Sequence, residues 1–214
     1  MAARSTTTRS ATVRPPLTEQ RIHLAALELV DRDGLDRLSM RRLAAELGVE
    51  AMSLYHHVAD KGAVLDGVVA AVLDEMQLPE AGPWDERALV VVSELRRVVL
   101  AHPNVHLVVV ERALVSPSVL APATALLDAL HEAPAGGRDG EGTVAPASVP
   151  EVVQAFWMLM SLVSGSLGCE LTELPTDGAL DTLEPGLFDV DLDQQFRAGV
   201  RTILSALARG ELAH

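Results

Sequence analysis

The stretch SMRRLAAELGVEAMSLYHHV, residues 39–58, is the part of the sequence that most clearly indicates the fold. It predicts a helix that begins at Ser39, a sharp turn at Gly48, and a second helix from about Glu50 to His57. Ala44 is the small residue that two helices need where they cross, and Leu54 is an apolar residue that can be buried between them. The segment therefore predicts a helix-turn-helix.

The second helix of this motif has few aliphatic side chains on its outward side. The residues there are small or polar: Ala51, Ser53, Tyr55, His56 and His57. A short helix with such a surface can enter the major groove of DNA, and Lys61, just beyond it, can meet a backbone phosphate. The alternative is an ordinary helical hairpin in which these residues are simply exposed to solvent.

The distribution of charge favours DNA binding by the first third of the chain. The 214 residues have a net charge of −13, but residues 1–61 have a net charge of +1 and the remainder −14. A neutral-to-basic segment joined to an acidic body indicates two functions in one chain. Aromatic residues make up only 3% of the sequence, which disfavours modules that stack on single-stranded bases.

Apolar residues at helical spacing, separated by glycine and proline, predict an all-α fold. Thr18, Ser39 and Asp60 are placed as N-caps in the first third. We expect longer helices at about 84–101, 104–115, 118–131, 149–173 and 192–209, and a mobile loop at 133–148. The predicted organisation is a disordered basic arm (1–16), a helix-turn-helix DNA-binding domain (17–78), and a larger helical domain for ligand binding and dimerisation (79–214).

Several other classes of protein are disfavoured. Cys169 is the single cysteine, so neither an internal disulfide nor a cysteine-based zinc site can form, which fits a cytoplasmic protein. We find no glycine-rich phosphate loop and no GxSxG motif, so we predict no enzyme activity and no cofactor. The criterion of a charge-free apolar run of about 18 residues predicts no membrane span.

Two alternatives to this interpretation remain open. His102 and His106 have the i, i+4 spacing of metal ligands, but Pro103 between them favours two histidines at a helix end. A helical adaptor that does not bind DNA is also possible if the basic residues of the first third are incidental. Binding to duplex DNA, compared with a Tyr55→Ala control, separates the adaptor from a DNA-binding regulator.

Residues 38–66, LSMRRLAAELGVEAMSLYHHVADKGAVLD, resemble the DNA-binding domain of the TetR family, within the tetracycline-repressor branch. The LYHHV segment followed by Lys61 is the most specific part of this resemblance. A weaker resemblance extends through SLVSGSLGCELTE (161–173) and FRAGVRTILSALAR (196–209). The resemblance implies a ligand-responsive repressor that binds a pseudo-palindromic operator as a homodimer and is released by a small molecule.

The resemblance also implies which side chains contact DNA. Phosphate contacts are implied for Tyr55, His57 and Lys61, with Thr18 and Ser39 adding caps or hydroxyl contacts. The residues implied to face base edges are Arg41, Ala51, Met52, Ser53 and His56. Arg41 is the candidate for a guanine contact, because a guanidinium can bind O6 and N7 together. Ala51, Met52 and His56 depart from the branch pattern, so a different operator is expected.

The two long helices predicted near the C-terminus have wide apolar faces that we expect to form the homodimer interface. Gly165 and Gly168 would allow the close approach of a partner helix. The alternative is that these faces fill the core of the monomer. The apolar residues are Val152, Val153, Phe156, Trp157, Leu159, Met160, Val163 and Leu167 on the first helix, and Phe196, Val200, Ile203, Leu204 and Leu207 on the second.

The predicted effector pocket departs from the family pattern. In the tetracycline repressor, polar side chains hold the drug, and a histidine and a glutamate help to hold its magnesium. By resemblance, His106 and Glu173 lie nearest to that pair, while Val91 and Met76 or Gln77 stand at drug-contacting positions. The predicted lining is Met76, Val91, Leu95, His106, Leu114, Leu127, Trp157, Met160 and Glu173. This mostly apolar lining favours an apolar effector over a magnesium-chelated drug; the alternative is a packed core and no inducer.

Overall fold

The computed structural model describes residues 15–112, 120–138, 144–172 and 190–212, and these residues are mostly helical. The N-terminal helices are α1 (Glu19–Asp33), α2 (Met40–Leu47), α3 (Ala51–Leu54) and α4 (Lys61–Leu73). The C-terminal helices are α5 (Trp84–Ala101), α6 (His106–Arg112), α7 (Leu120–His131), α8 (Val149–Leu171) and α9 (Leu192–Ala208). The prediction of an all-α fold is confirmed.

Side chains cap the first helices where the sequence predicts them. Thr18 Oγ1 accepts a hydrogen bond from the backbone N–H of Arg21 at 3.2 Å, and Ser39 Oγ accepts one from Arg42 at 3.3 Å. Asp60 Oδ1 accepts from the N–H of Ala63 at 2.9 Å. Each cap satisfies a donor that has no partner inside its helix, and so fixes where α1, α2 and α4 begin.

The N-terminal helices are held together by the packing of α1 on α4 and on α2. Ile22 of α1 and Val68 of α4 are fully buried in this contact. Gly67 of α4 is needed for the close approach, because a Cβ added there would lie 2.1 Å from Cδ2 of His23 on α1. The ring of His23 therefore occupies the space that the glycine leaves.

The C-terminal helices pack α5 against α7, α8 and α9, and α8 against α9. This packing corrects the expected dimer interface, because most of its predicted residues belong to the core of the single chain. The residues buried within the chain are Val152, Leu159, Val163, Leu167, Phe196, Val200, Leu204 and Leu207. Of the predicted interface residues, Val153 and Trp157 are exposed, by 46% and 49%.

Two connections differ from the sequence-based expectation. Residues Pro134–Arg138 and Val144–Pro146 form a short antiparallel β pair where a mobile loop is predicted for 133–148. Pairing satisfies backbone groups that the ends of a loop would otherwise leave to solvent. Before α6, Pro103–Val105 form a single 3₁₀ turn, so the helix expected from about 104 begins at His106.

Helix α8 also corrects the expectation about membrane spans. Residues 152–169 contain no charged side chain, and α8 is long and apolar enough, by length and composition alone, to cross a membrane. Core helices of soluble proteins meet the same criterion, and α8 packs one face on α5, α7 and α9. Length and composition are therefore weak evidence for a membrane span here.

Candidate DNA interface and effector cavity

The turn between α2 and α3 is built around Gly48, whose φ of 66° lies in the left-handed region. The N–H of Gly48 donates to the carbonyl of Ala45 at 3.1 Å, and the N–H of Val49 donates to Ala44 at 2.9 Å. This pair of bonds is a Schellman motif, which ends α2 and reverses the chain. Glycine adopts the required conformation without steric cost.

Buried residues fix α3 against α2. Leu54 is fully buried, and Ala44 is 3% exposed. The helix itself is shorter than predicted: it ends at Leu54, and Tyr55–His57 form a turn in which the N–H groups of His57 and Val58 both donate to the Leu54 carbonyl at 2.9 Å. Asp60 then caps α4.

The side of this motif that faces solvent carries the residues predicted to contact DNA. Met52 is 71% exposed and Tyr55 is 45% exposed. The remaining members are exposed (Ser39, Arg41, His56 and Lys61) or half-buried (Ala51, Ser53 and His57). All of these residues lie between the N-cap of α2 and the start of α4, and none of them is fully buried.

The arginines of α1 and α2 differ in their partners. Arg32 donates two hydrogen bonds to the carboxylate of Glu46, with Nη1–Oε1 at 3.1 Å and Nη2–Oε2 at 3.0 Å. Arg42 forms an ion pair with Asp33 at 2.6 Å. Hydrogen bonding to Arg32 holds the pKa of Asp33 and of Glu46 below its usual range. These pairs tie the C-terminal end of α1 to α2 and engage both cations.

Arg41 and Lys61, by contrast, make no hydrogen bond or ion pair with any residue that the structure describes. A cation without a protein partner keeps its charge available for a phosphate or a base edge. Residue type alone does not distinguish Arg41 from its neighbour Arg42. Their partners differ because Asp33 reaches only one of them, a tertiary contact that periodicity does not reveal.

A small cavity of about 70 Å³ lies among the C-terminal helices and the end of α4. All the residues that line it are apolar: Leu73, Val91, Val92, Leu95, Val109, Pro122, Ala123, Leu126, Phe156 and Met160. They come from α4, α5, α6, α7 and α8. Apolar walls without a polar partner favour a ligand that needs few hydrogen bonds.

The predicted pocket residues are only partly brought together. Val91, Leu95 and Met160 line the cavity. Met76, His106 and Leu127 are half-buried and do not line it, and Trp157 lies on the outer side of α8 with its side chain half-exposed. Leu114 and Glu173 lie outside the described residues. Within the described ranges no group of three His, Cys, Asp or Glu side chains could hold a metal ion.

Comparisons with known proteins identify the family of this chain. Residues 22–68 match the model of bacterial regulatory proteins of the tetR family. An HTH-type transcriptional regulator of Saccharopolyspora erythraea is 44% identical over 128 residues, which are 59% of this chain and 54% of the relative. DrrR1, an HTH-type transcriptional repressor of Streptomyces coeruleorubidus, is 30% identical over 204 residues, covering 92% of this chain and 67% of the relative.

Similar solved structures extend the match beyond the helix-turn-helix. Apo ActR of Streptomyces coelicolor superposes with a TM-score of 0.72 at 28% identity, covering 92% of this chain and 97% of ActR. The structure of ActR in complex with actinorhodin gives a TM-score of 0.71 at 27% identity, with 92% and 99% coverage. The chain belongs to the TetR family of helix-turn-helix transcription regulators, which are DNA-binding proteins and not enzymes.

Proposed function

We propose that this chain is a cytoplasmic repressor that binds a pseudo-palindromic operator as a homodimer and is released by a small, largely apolar effector. The observation that carries the DNA-binding part is the exposed segment from α2 to α4, where Arg41 and Lys61 have no partner among the described residues. Arg41 reads a guanine, and Lys61 and Tyr55 hold the phosphate backbone.

The exposed face of α8 supports dimerisation. Val149, Val153 and Trp157 are 65%, 46% and 49% exposed and follow one another at i, i+4 and i+8, so they share one face of the helix. Gly168 lies on the same face, and a Cβ added there would meet nothing within 4 Å. An apolar face with an open glycine suits a second copy of α8 packed at close range. Helix α9 contributes less, because its apolar side is buried within the chain.

The cavity supports effector-induced release. Its volume of about 70 Å³ is far below the roughly 300–1,000 Å³ of sites for drug-sized ligands, so an effector must push the walls apart. Leu73, the last residue of α4, is one of those walls, and α4 packs on α1. Expansion of the cavity therefore displaces the N-terminal helices, and the effector favours the displaced state by its greater affinity for it.

Operator binding is tested by selection from random duplexes, followed by fluorescence anisotropy on the selected duplex and on a shuffled one. We expect two half-sites whose centres lie about one helical turn, roughly 34 Å, apart. Light scattering on the free protein should give twice the chain mass of 22.8 kDa. A monomer at micromolar concentration, or equal affinity for the two duplexes, contradicts the proposal.

Effector chemistry is tested by titrating the operator complex with two kinds of probe. The first is tetracycline with magnesium. The second is a set of aromatic compounds: actinorhodin, which the similar ActR binds, and less polar aromatic compounds. We expect release by the less polar compounds. Release at micromolar tetracycline that a chelator abolishes would show that the pocket binds a chelated drug, contrary to this proposal. No release by any probe favours a regulator without an inducer.

A further inference from the structure

The junction between the N-terminal helices and α5 contains a histidine with a carboxylate on each side. His102 ends α5; its Nδ1 lies 2.7 Å from Oδ2 of Asp31 on α1, and its Nε2 lies 3.1 Å from Oε1 of Glu75, two residues after α4. The side chain of His102 is only 14% exposed. One ring therefore connects the C-terminal helices to two separate elements of the N-terminal helices.

The number of protons on the ring determines how many of these contacts are hydrogen bonds. An ionised carboxylate only accepts, and a neutral imidazole has a single N–H, so the neutral ring can donate to Asp31 or to Glu75 but not to both. The imidazolium ion has two N–H groups and can donate to both carboxylates at once. The observed geometry, with a carboxylate oxygen within hydrogen-bond distance of each nitrogen, suits the imidazolium.

We propose that His102 is a proton-dependent clamp, closed when the ring is protonated, that holds the C-terminal end of α1 and the segment after α4 against the end of α5. Asp31 and Glu75 are its two acceptors. Gain or loss of one proton on the ring therefore makes or breaks one of the two contacts.

Arg97, Glu94 and Asn104 make further polar contacts at this junction. Arg97 of α5 donates to the backbone carbonyl of Glu75 at 2.9 Å and pairs with Glu94, whose pKa is held below its usual range by Arg97. Asn104 donates to the carbonyls of Val30 and Asp31 at 3.2 and 3.0 Å. These contacts form an anchor that does not depend on pH, to which the protonated His102 adds.

The position of the clamp suggests what it regulates. Glu75 lies two residues after Leu73, which lines the cavity, so a closed clamp restrains the segment that an effector must move. Acidic conditions therefore oppose release from DNA, and alkaline conditions favour it. This regulatory consequence rests on the proposed function, whereas the clamp itself does not.

Hydrogen exchange followed by mass spectrometry tests the clamp on the full chain without DNA or effector. The readout is the protection of peptides covering residues 28–33 and 74–78, at about pH 6 and about pH 8, after correction for intrinsic exchange rates. We expect about threefold to tenfold more protection at the lower pH, the effect of one net hydrogen bond of ordinary strength. His102→Gln should remove this pH dependence.

Two kinds of variant act as controls. His131→Gln should behave as the unmodified chain, because His131 Nδ1 contacts only the Leu127 carbonyl within its own helix. Asp31→Asn and Glu75→Gln keep the histidine but remove one carboxylate, so each should reduce the pH dependence, and they serve if His102→Gln does not fold. Equal pH dependence in His102→Gln and in the unmodified chain overturns the clamp. Since no DNA is used, this result is independent of whether the operator proposal holds.

Discussion

The residues that form the helix-turn-helix are close together in the sequence, whereas the residues that line the effector cavity are far apart. The helix-turn-helix is formed by neighbouring residues: Ser39 caps α2, Gly48 ends it, and Leu54 closes the angle between the two helices. The cavity has walls from residue 73 to residue 160, on five helices. The first depends on local backbone chemistry, whereas the second depends on how distant side chains pack.

The largest expected effect is on the stability of the N-terminal helices. Leu54→Ala removes a fully buried side chain and should lower the free energy of unfolding by about 2–5 kcal/mol. Met52→Ala, at a position 71% exposed, should change it by less than about 0.5 kcal/mol. Denaturant titrations followed by circular dichroism measure both variants.

Tryptophan fluorescence makes this measurement specific to one part of the chain. Trp84 and Trp157, the two tryptophans, both lie in the C-terminal helices. If the N-terminal helices are stabilised mainly by their own contacts, Leu54→Ala should shift the circular dichroism transition and leave the fluorescence transition in place. Equal shifts of the two signals would show that the two parts unfold together.

The next effect distinguishes the two neighbouring arginines of α2. Arg41→Ala should weaken binding to the selected operator by about 10- to 150-fold, because a guanine contact is lost. Arg42→Ala is the matched control: its guanidinium is engaged by Asp33, so the loss should stay below about fivefold. Anisotropy on operators changed at single base pairs tests whether Arg41→Ala relaxes preference at one position. Equal losses from the two variants would contradict the assignment.

The sequence predicts the local features of the fold but not the contacts between helices. The caps at Thr18, Ser39 and Asp60 follow from the short reach of a side-chain oxygen to an N–H three residues later, and the structure has all three. The pairing of Arg42 with Asp33 could not be predicted, because it depends on how α1 and α2 cross. For the same reason Trp157 was predicted both in the pocket lining and on the dimer face: helical period shows that α8 has a wide apolar face but not which part of it meets α9.

A smaller effect is expected when the cavity is filled. Ala123→Val adds two carbon atoms to a wall of the cavity and should weaken the response to an apolar effector by about tenfold. Ala121→Val is the matched control, because Ala121 is on the same helix, is exposed, and suffers the same loss of helix propensity. The measurement is the effector concentration that releases half of the operator. If both variants respond like the unmodified chain, the effector binds elsewhere.

The smallest expected effect concerns the pH dependence of α1–α4 packing. Burial lowers the pKa of His23, with the nearby Glu19 acting in the opposite direction. The unfolded chain therefore binds a proton more readily than the folded one. The stabilisation is present above the unfolded pKa of about 6.5 and is lost as the pH falls from there towards the lower folded value.

His23→Gln removes this titration and should flatten the loss of stability on acidification. The comparison is sharpest in a His102→Gln background, because the protonated clamp stabilises the fold at low pH and would mask an effect of opposite sign. Thermal midpoints at about pH 7.5 and about pH 5.5 measure the difference between His102→Gln and the double variant. If His102→Gln loses no more stability on acidification than the double variant, the prediction is wrong. The His23 ring, despite its contact with Gly67, would then accept a proton without destabilising the fold.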